Sequence, residues 1–146
     1  MTHKPAVLFL CTGNSCRSQM AEGWARHLLT NQIVAYSAGI ETHGLNPRAV
    51  QVMSEAGVDI SQQKSQLLDS FDNLHPTLVV TVCAHAAEAC PIFPGATHMV
   101  HQSFRDPARA MGSELEILTA FRQVRDEIKA FIITLPDILD RLSKQS

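Results

Sequence analysis

The stretch Ala6–Glu22, AVLFLCTGNSCRSQMAE, decides the fold because it joins a buried strand, a tight polar loop and the start of a helix. The continuous apolar run Ala6–Leu10 is typical of a strand that is buried on both faces of a sheet. A helix that begins near Arg17 would direct its unpaired N–H groups into the preceding loop. The stretch therefore predicts a cradle for a tetrahedral oxyanion, with a thiol at its base and a guanidinium at its rim.

The loop from Cys11 to Ser18, which we call the anion loop, places an arginine six positions after a cysteine. We expect its glycine and asparagine to adopt the positive φ angles that a loop curling around an anion requires. The nearby N–H groups, the arginine and the helix N-terminus all favour the thiolate form of Cys11. The residues predicted to bind the oxyanion are Thr12, Gly13, Asn14, Ser15, Cys16 and Ser18. An ordinary turn with a structural cysteine is the alternative interpretation.

The composition excludes several other classes of protein. The chain has 146 residues, a net charge of −2 and no run of basic residues, which argues against nucleic-acid binding. No apolar stretch approaches the length of a membrane span, and the apolar part of the N-terminus is too short for a signal peptide. We therefore expect a cytoplasmic protein that acts as a monomer and does not bind membranes. In that reducing compartment, the four cysteines are expected to be catalytic, redox-active or metal-binding rather than structural disulfides.

Alternating strand and helix signals predict one α/β domain over residues 1–146, with three α/β/α layers and a four-stranded parallel sheet. Strands are predicted at 6–11, 33–38, 77–83 and 97–102, and helices at 18–30, 46–56 and 113–135, with one or two helical turns at 65–71 and a loop at 103–111. Asn46 followed by Pro47 is a helix-start signal, and Ser113 with Glu116 forms a capping-box pattern. Leu115 is assigned to the apolar face of the last helix, which Pro136 is expected to end or kink.

Several segments together resemble one known family. CTGNSCRSQMAEGWA, YSAGIETHGLNP, LVVTVC, Cys90-Pro91, FRDPARA and FRQVRDEIK are similar to the thioredoxin-coupled arsenate reductases, which are built on the low-molecular-weight protein-tyrosine phosphatase fold. The resemblance covers the chain up to about Lys129. It implies that Cys11 is the nucleophile, that Arg17 clamps the oxyanion and that Asp106 is the general acid. An Asp-Pro turn is the structural alternative for Asp106.

The resemblance also implies roles for Cys83 and Cys90. Reducing arsenate to arsenite takes two electrons, so two thiols must be oxidised to one disulfide. Cys83 would displace arsenite from a Cys11 adduct, and Cys90 would carry the disulfide outward to thioredoxin, or to glutathione and glutaredoxin. No cofactor is implied. Structural thiols, or zinc binding by Cys83, His85 and Cys90, are the alternatives, although that spacing is not a regular zinc pattern.

Two other functions remain open from the sequence. A phosphotyrosine phosphatase would use the same Cys11, Arg17 and Asp106, and an oxyanion or redox sensor would use the loop without turnover.

The resemblance also bears on metal binding. Relatives carry a monovalent cation near positions that match Asn14, Glu22 and Ser37. The acidic ligand expected two positions after Lys64 is replaced here by Gln66, so no metal is predicted. Cys16 is interpreted as a structural residue of the loop.

Overall fold

The centre of the protein is a four-stranded parallel sheet. A computed structural model describes residues 4–82 and 96–144. The strands are β1 (Ala6–Cys11), β2 (Val34–Gly39), β3 (Leu78–Thr81) and β4 (His98–His101), in the order β2-β1-β3-β4. The predicted α/β class and the parallel four-stranded sheet are thereby confirmed, and β1 lies in the interior of the sheet, as its apolar sequence predicts.

Four helices accompany these strands: α1 (Arg17–Leu28), α2 (Pro47–Glu55), α3 (Glu114–Ile133) and α4 (Leu135–Ser143). The start signals are confirmed, because the Asn46 side chain accepts hydrogen bonds at the start of α2 and Ser113 forms a capping box with Glu116. Pro136 lies in the first turn of α4, directly after α3 has ended. No helix in the described ranges is long and apolar enough to cross a membrane.

Alternate residues of β1 contribute to two separate apolar clusters. Val7 and Phe9 belong to the larger cluster, which also includes buried side chains of α1, α2 and α3. Leu8 and Leu10 belong to a smaller cluster, against which a short 3-10 helix at Leu68–Phe71 packs. Both faces of β1 are therefore covered, which explains why its sequence is continuously apolar rather than alternating.

Some predicted boundaries and contacts are wrong. The first helix begins at Arg17 and ends at Leu28, before Thr30, and the turns predicted at 65–71 are reduced to the 3-10 helix. The loop predicted at 103–111 contains a second 3-10 helix, Pro107–Arg109. Leu115 is 68% exposed, because the buried stripe of α3 begins one turn later at Leu118. Helical periodicity alone does not show how far a packing partner extends along a helix.

The sheet topology brings the ends of three strands to one edge. Cys11, at the end of β1, pairs with Gly39 at the end of β2. On the other side of β1, Leu10 pairs with Thr81, and the Val82 amide donates a hydrogen bond to the Leu10 carbonyl at 2.9 Å. This edge, where the carboxyl ends of parallel strands meet, is where α/β proteins characteristically bind ligands.

The packing of α1 against the segment after α2 generates a stability prediction. A Cβ at Gly23 would lie 2.5 Å from Ile60 Cγ2 and 3.3 Å from Met53 Cε. Although replacing glycine by alanine in an open helix gains about 1 kcal/mol, we expect Gly23→Ala to lower the free energy of unfolding by about 1–3 kcal/mol through overpacking. Urea unfolding measures this change. In an Ile60→Ala background the same substitution should cost less, and strictly additive losses would contradict the contact.

Candidate active site

The carbonyl groups of the anion loop are bound by donors from outside the loop. The Thr12, Gly13 and Ser15 carbonyls accept backbone hydrogen bonds from Glu41, His43 and Asn46, at 3.0, 3.0 and 3.1 Å. Gly13 also accepts from Ser65 Oγ, and the Asn14 carbonyl accepts from the Gln19 side chain. We call residues 41–46 the supporting segment, because they hold the loop's peptide groups in one orientation.

With the carbonyls held outward, the loop can present N–H groups to its interior. The amides of Gly13, Ser15 and Cys16 have no acceptor among the residues that the structure describes. These three residues line a cavity of about 430 Å³. The complete lining comprises Cys11, Thr12, Gly13, Ser15, Cys16, Arg17, His43, Asp106, Ala108 and Arg109. The loop therefore has donors that suit an anion, while the binding of an oxyanion there stays a prediction.

The positive φ angle expected of two loop residues occurs at only one of them. Asn14 has φ 48°, whereas Gly13 does not have a positive φ. Asn14 Oδ1 accepts from the Gln66 amide at 2.7 Å and from Gln19 Nε2 at 3.1 Å, and its Nδ2 donates to Ser18 Oγ at 2.8 Å. Asn14 therefore fixes the loop through both its backbone conformation and its fully buried side chain.

The predicted nucleophile, clamp and acid line one cavity. Cys11 Sγ accepts a hydrogen bond from Ser18 Oγ at 3.4 Å. Arg17 is buried; its Nη1 donates to the Phe104 carbonyl at 3.2 Å, and its Nη2 lies 3.7 Å from Asp106 Oδ2. The segment after β4 thus binds both nitrogens of the guanidinium and fixes it beside the anion loop.

Asp106 is positioned by the start of the short 3-10 helix. Its Oδ1 accepts from the Ala108 amide at 3.0 Å, while its Oδ2 lies 3.9 Å from Arg109 Nε. The side chain is 25% exposed and contributes to the cavity lining. The predicted Asp-Pro turn is therefore real, and it also directs a carboxyl group toward the anion loop, so the two interpretations of Asp106 are compatible.

Cys16 is the second buried thiol of the anion loop. Burial raises the pKa of Cys16 from 9.0 to about 12, and the carboxylate of Asp106 acts in the same direction, while a hydrogen bond with Ser15 opposes the rise. Cys16 therefore remains a protonated thiol at neutral pH, which suits a structural loop residue rather than a nucleophile.

The positions that match a cation site in relatives have protein partners here. Ser37 Oγ donates to Glu22 Oε1 at 2.5 Å, and Arg26 Nε lies 2.8 Å from Glu22 Oε2. Burial raises the pKa of Glu22, although its bonds to Ser37 and Arg26 counteract this effect. Asn14 Oδ1 is occupied by the donors already named. Within residues 4–82 and 96–144, no three His, Cys, Asp or Glu side chains cluster to hold a metal ion.

Three residues that line the cavity were not predicted as site residues, namely His43, Ala108 and Arg109. They lie within the segments YSAGIETHGLNP and FRDPARA, which carry the family resemblance but no local signal for these roles. The supporting segment contains His43, and its contact with the anion loop follows only from the pairing of β1 with β2. Cys83, His85 and Cys90 lie outside the described residues.

The sequence profile of the low molecular weight phosphotyrosine protein phosphatases matches residues 6–145. The chain belongs to this family. Within the family it is 50% identical over 135 residues to an arsenate reductase of Halalkalibacterium halodurans, covering 92% of this chain and 97% of that protein. It is 55% identical over 122 residues to an arsenate reductase of Bacillus subtilis, covering 84% and 88% of the two chains.

A solved structure supports the same assignment. An arsenate reductase in the phosphate binding state is 30% identical and has a TM-score of 0.74, covering 92% of this chain and 98% of its own. The resemblance seen in the sequence is thus confirmed: this phosphatase-family chain is similar to proteins named arsenate reductase along nearly its whole length.

The buried contacts of Asn14 predict that its replacement weakens both folding and anion binding. Asn14→Ala should lower the free energy of unfolding by about 2–4 kcal/mol, because it loses the side-chain hydrogen bonds and keeps an unfavourable left-handed backbone. Asn14→Gly, which relaxes the backbone alone, should recover about 1 kcal/mol of that loss.

Urea unfolding and calorimetric titration with inorganic phosphate measure the two effects. Equal destabilisation by alanine and glycine would contradict the role of the backbone conformation. Unchanged phosphate affinity in both variants would contradict a role for the Asn14 side chain in positioning the loop.

Proposed function

We propose that this protein reduces arsenate to arsenite and thereby detoxifies arsenic. The observation that supports this most strongly is that Cys11, Arg17 and Asp106 line one cavity in a chain that is 50% identical to an arsenate reductase across 92% of its length. Phosphate and arsenate are both tetrahedral oxyanions, so the phosphate-bound state of the similar solved structure supports the same use of the cradle.

In the first step, the Cys11 thiolate attacks the arsenic atom of arsenate. A sulfur–arsenic bond forms, one arsenic–oxygen bond breaks, and Asp106 donates the proton that lets this oxygen leave as water. Arg17 and the inward N–H groups balance the negative charge on the remaining oxygens. The contacts that support this step are the Ser18 hydrogen bond to Cys11 and the shared cavity of Cys11 and Asp106.

In the second step, Cys83 attacks the sulfur of Cys11. The sulfur–arsenic bond breaks and its electron pair stays with arsenic, so that arsenite leaves while two thiols are oxidised to a Cys11–Cys83 disulfide. The neighbouring backbone supports this step, because the Val82 amide donates to the Leu10 carbonyl beside the end of β1. Position 83 therefore follows a residue that is already adjacent to the strand of the nucleophile.

In the third step, Cys90 attacks Cys83 and releases Cys11 as a thiolate. The resulting Cys83–Cys90 disulfide is then reduced by thioredoxin, with glutathione and glutaredoxin as the alternative electron donor. This transfer moves the oxidised pair away from the buried Cys11, whose 3% exposure would hinder direct attack by a protein reductant.

Phosphate-ester hydrolysis is the second candidate function. The family profile and the group formed by Cys11, Arg17 and Asp106 both favour it. It would use the same nucleophile and acid but would give Cys83 and Cys90 no chemical role, so we rank it below reduction. A non-catalytic oxyanion or redox sensor is a third outcome of the test.

The test is arsenate-dependent oxidation of NADPH in the presence of thioredoxin and thioredoxin reductase, with a parallel glutathione and glutaredoxin assay. We expect turnover with arsenate. No reduction with either donor, but hydrolysis of p-nitrophenyl phosphate, would make phosphatase activity the primary function. Tight arsenate binding with neither activity would identify a sensor.

The relay makes a sharper prediction for Cys90→Ser. This variant should release about one arsenite per protein and then stop, because the Cys11–Cys83 disulfide cannot be transferred further. Quantified arsenite and peptide mass spectrometry of the disulfide measure the outcome. Cys83→Ser is the matched comparison and should release no arsenite, because the Cys11 adduct then has no thiol to resolve it. Sustained thioredoxin-driven turnover by Cys90→Ser would contradict the relay.

A further inference from the structure

The mouth of the cavity carries an imidazole that the proposed chemistry does not use. His43 lines the same cavity as Cys11, Arg17 and Asp106, yet it belongs to the supporting segment rather than to the anion loop. Its side chain is 55% exposed, so it lies where the cavity meets solvent. The question is what an ordered histidine does at this position.

The imidazole packs directly on the anion loop at Gly13. A Cβ at Gly13 would lie 2.3 Å from His43 Nδ1, 2.8 Å from Cγ and 2.9 Å from Cε1, distances at which two groups cannot coexist. Because the φ angle of Gly13 is not positive, this glycine is not required by its backbone conformation. Its missing side chain instead provides the space that the imidazole occupies.

Two further contacts fix the orientation of His43. Its backbone amide donates to the Gly13 carbonyl at 3.0 Å, and its Nε2 lies 2.6 Å from Glu41 Oε2. Glu41 is itself attached to the loop, because its amide donates to the Thr12 carbonyl at 3.0 Å. His43 is therefore held through its backbone amide and its distal ring nitrogen, and its ring lies next to Gly13, although the side chain is half exposed.

A ring fixed at this position affects what can be attached to a bound oxyanion. A tetrahedral anion has four oxygens, so that if three of them contact the N–H groups and Arg17, the fourth faces away from the loop. In a phosphate monoester that fourth oxygen carries an organic group, which must leave through the mouth. No phenylalanine, tyrosine, tryptophan or large aliphatic side chain lines the described part of this cavity to receive such a group.

We propose that His43, held in place by Glu41, is a specificity-determining residue that favours a free tetrahedral oxyanion over an organic phosphate ester. The imidazole narrows the mouth on the side of Gly13, where an aryl group would otherwise pack against the loop. This proposal rests on the proposed function in one respect, namely that arsenate is the free oxyanion that the site selects. It assigns His43 no proton transfer and no contact with the attacked atom.

The test compares His43→Ala and Glu41→Ala with the parent protein. His43→Ala should raise kcat/KM for p-nitrophenyl phosphate about tenfold, and Glu41→Ala, which frees the ring, about threefold, as expected for removing a steric obstruction from a specificity site. Because both variants keep the backbone amides that bind the Thr12 and Gly13 carbonyls, ester kcat/KM should rise relative to arsenate turnover and relative to inhibition by inorganic phosphate. His75→Ala, an exposed histidine that does not line the cavity, is the matched control.

The outcomes separate this proposal from the proposed function. Unchanged p-nitrophenyl phosphate hydrolysis in His43→Ala would overturn it, as would a parallel fall in arsenate turnover, ester turnover and phosphate binding, which indicates a structural role. If the parent protein fails to reduce arsenate, the proposed function fails. The His43 proposal then still stands or falls on the ratio of ester hydrolysis to inorganic phosphate inhibition.

Discussion

The anchoring of the anion-loop carbonyls is the constraint on which the rest of the site depends. A peptide group can present its N–H to a ligand only if its carbonyl is satisfied elsewhere, since an unsatisfied buried polar group costs about 1–3 kcal/mol. Here Glu41, His43 and Asn46 supply the backbone donors, and Gln19 and Ser65 supply side-chain donors. The cradle is thus a product of the supporting segment as much as of the loop itself, and an isolated loop sequence would not hold this shape.

The second constraint is the buried charge of Arg17. A guanidinium that is 3% exposed needs partners, and it obtains them from the Phe104 carbonyl and from Asp106, both in the segment that follows β4. The same contacts that satisfy the arginine therefore bring the proposed general acid into the cavity that Cys11 lines.

The sequence correctly predicted the features that depend on interactions between neighbouring residues. The strand of Ala6–Leu10, the Asn46 cap and the Ser113–Glu116 capping box all depend on neighbours within a few residues, and the structure confirms each of them. The errors have a different origin. Leu115 lies on the apolar stripe but beyond its packing partner, and Gly13 is required by an imidazole thirty positions later in the chain, with no trace of this contact in its own neighbourhood. The contact between Gly13 and His43 can be predicted only from the register of β1 against β2, which local sequence patterns do not give.

The described part of the chain contains the groups that ester hydrolysis and arsenate reduction have in common. Either substrate would be served by a nucleophilic thiol, an arginine, an acid and inward N–H groups. This agrees with the names of the relatives, since the family profile is named for phosphatases and the similar chains are called arsenate reductases. The difference between the two reactions must then come from groups outside this shared set. Additional thiols can supply electrons, and the mouth of the cavity can select which oxyanions enter. Because these two properties belong to separate segments, each can change independently of the other.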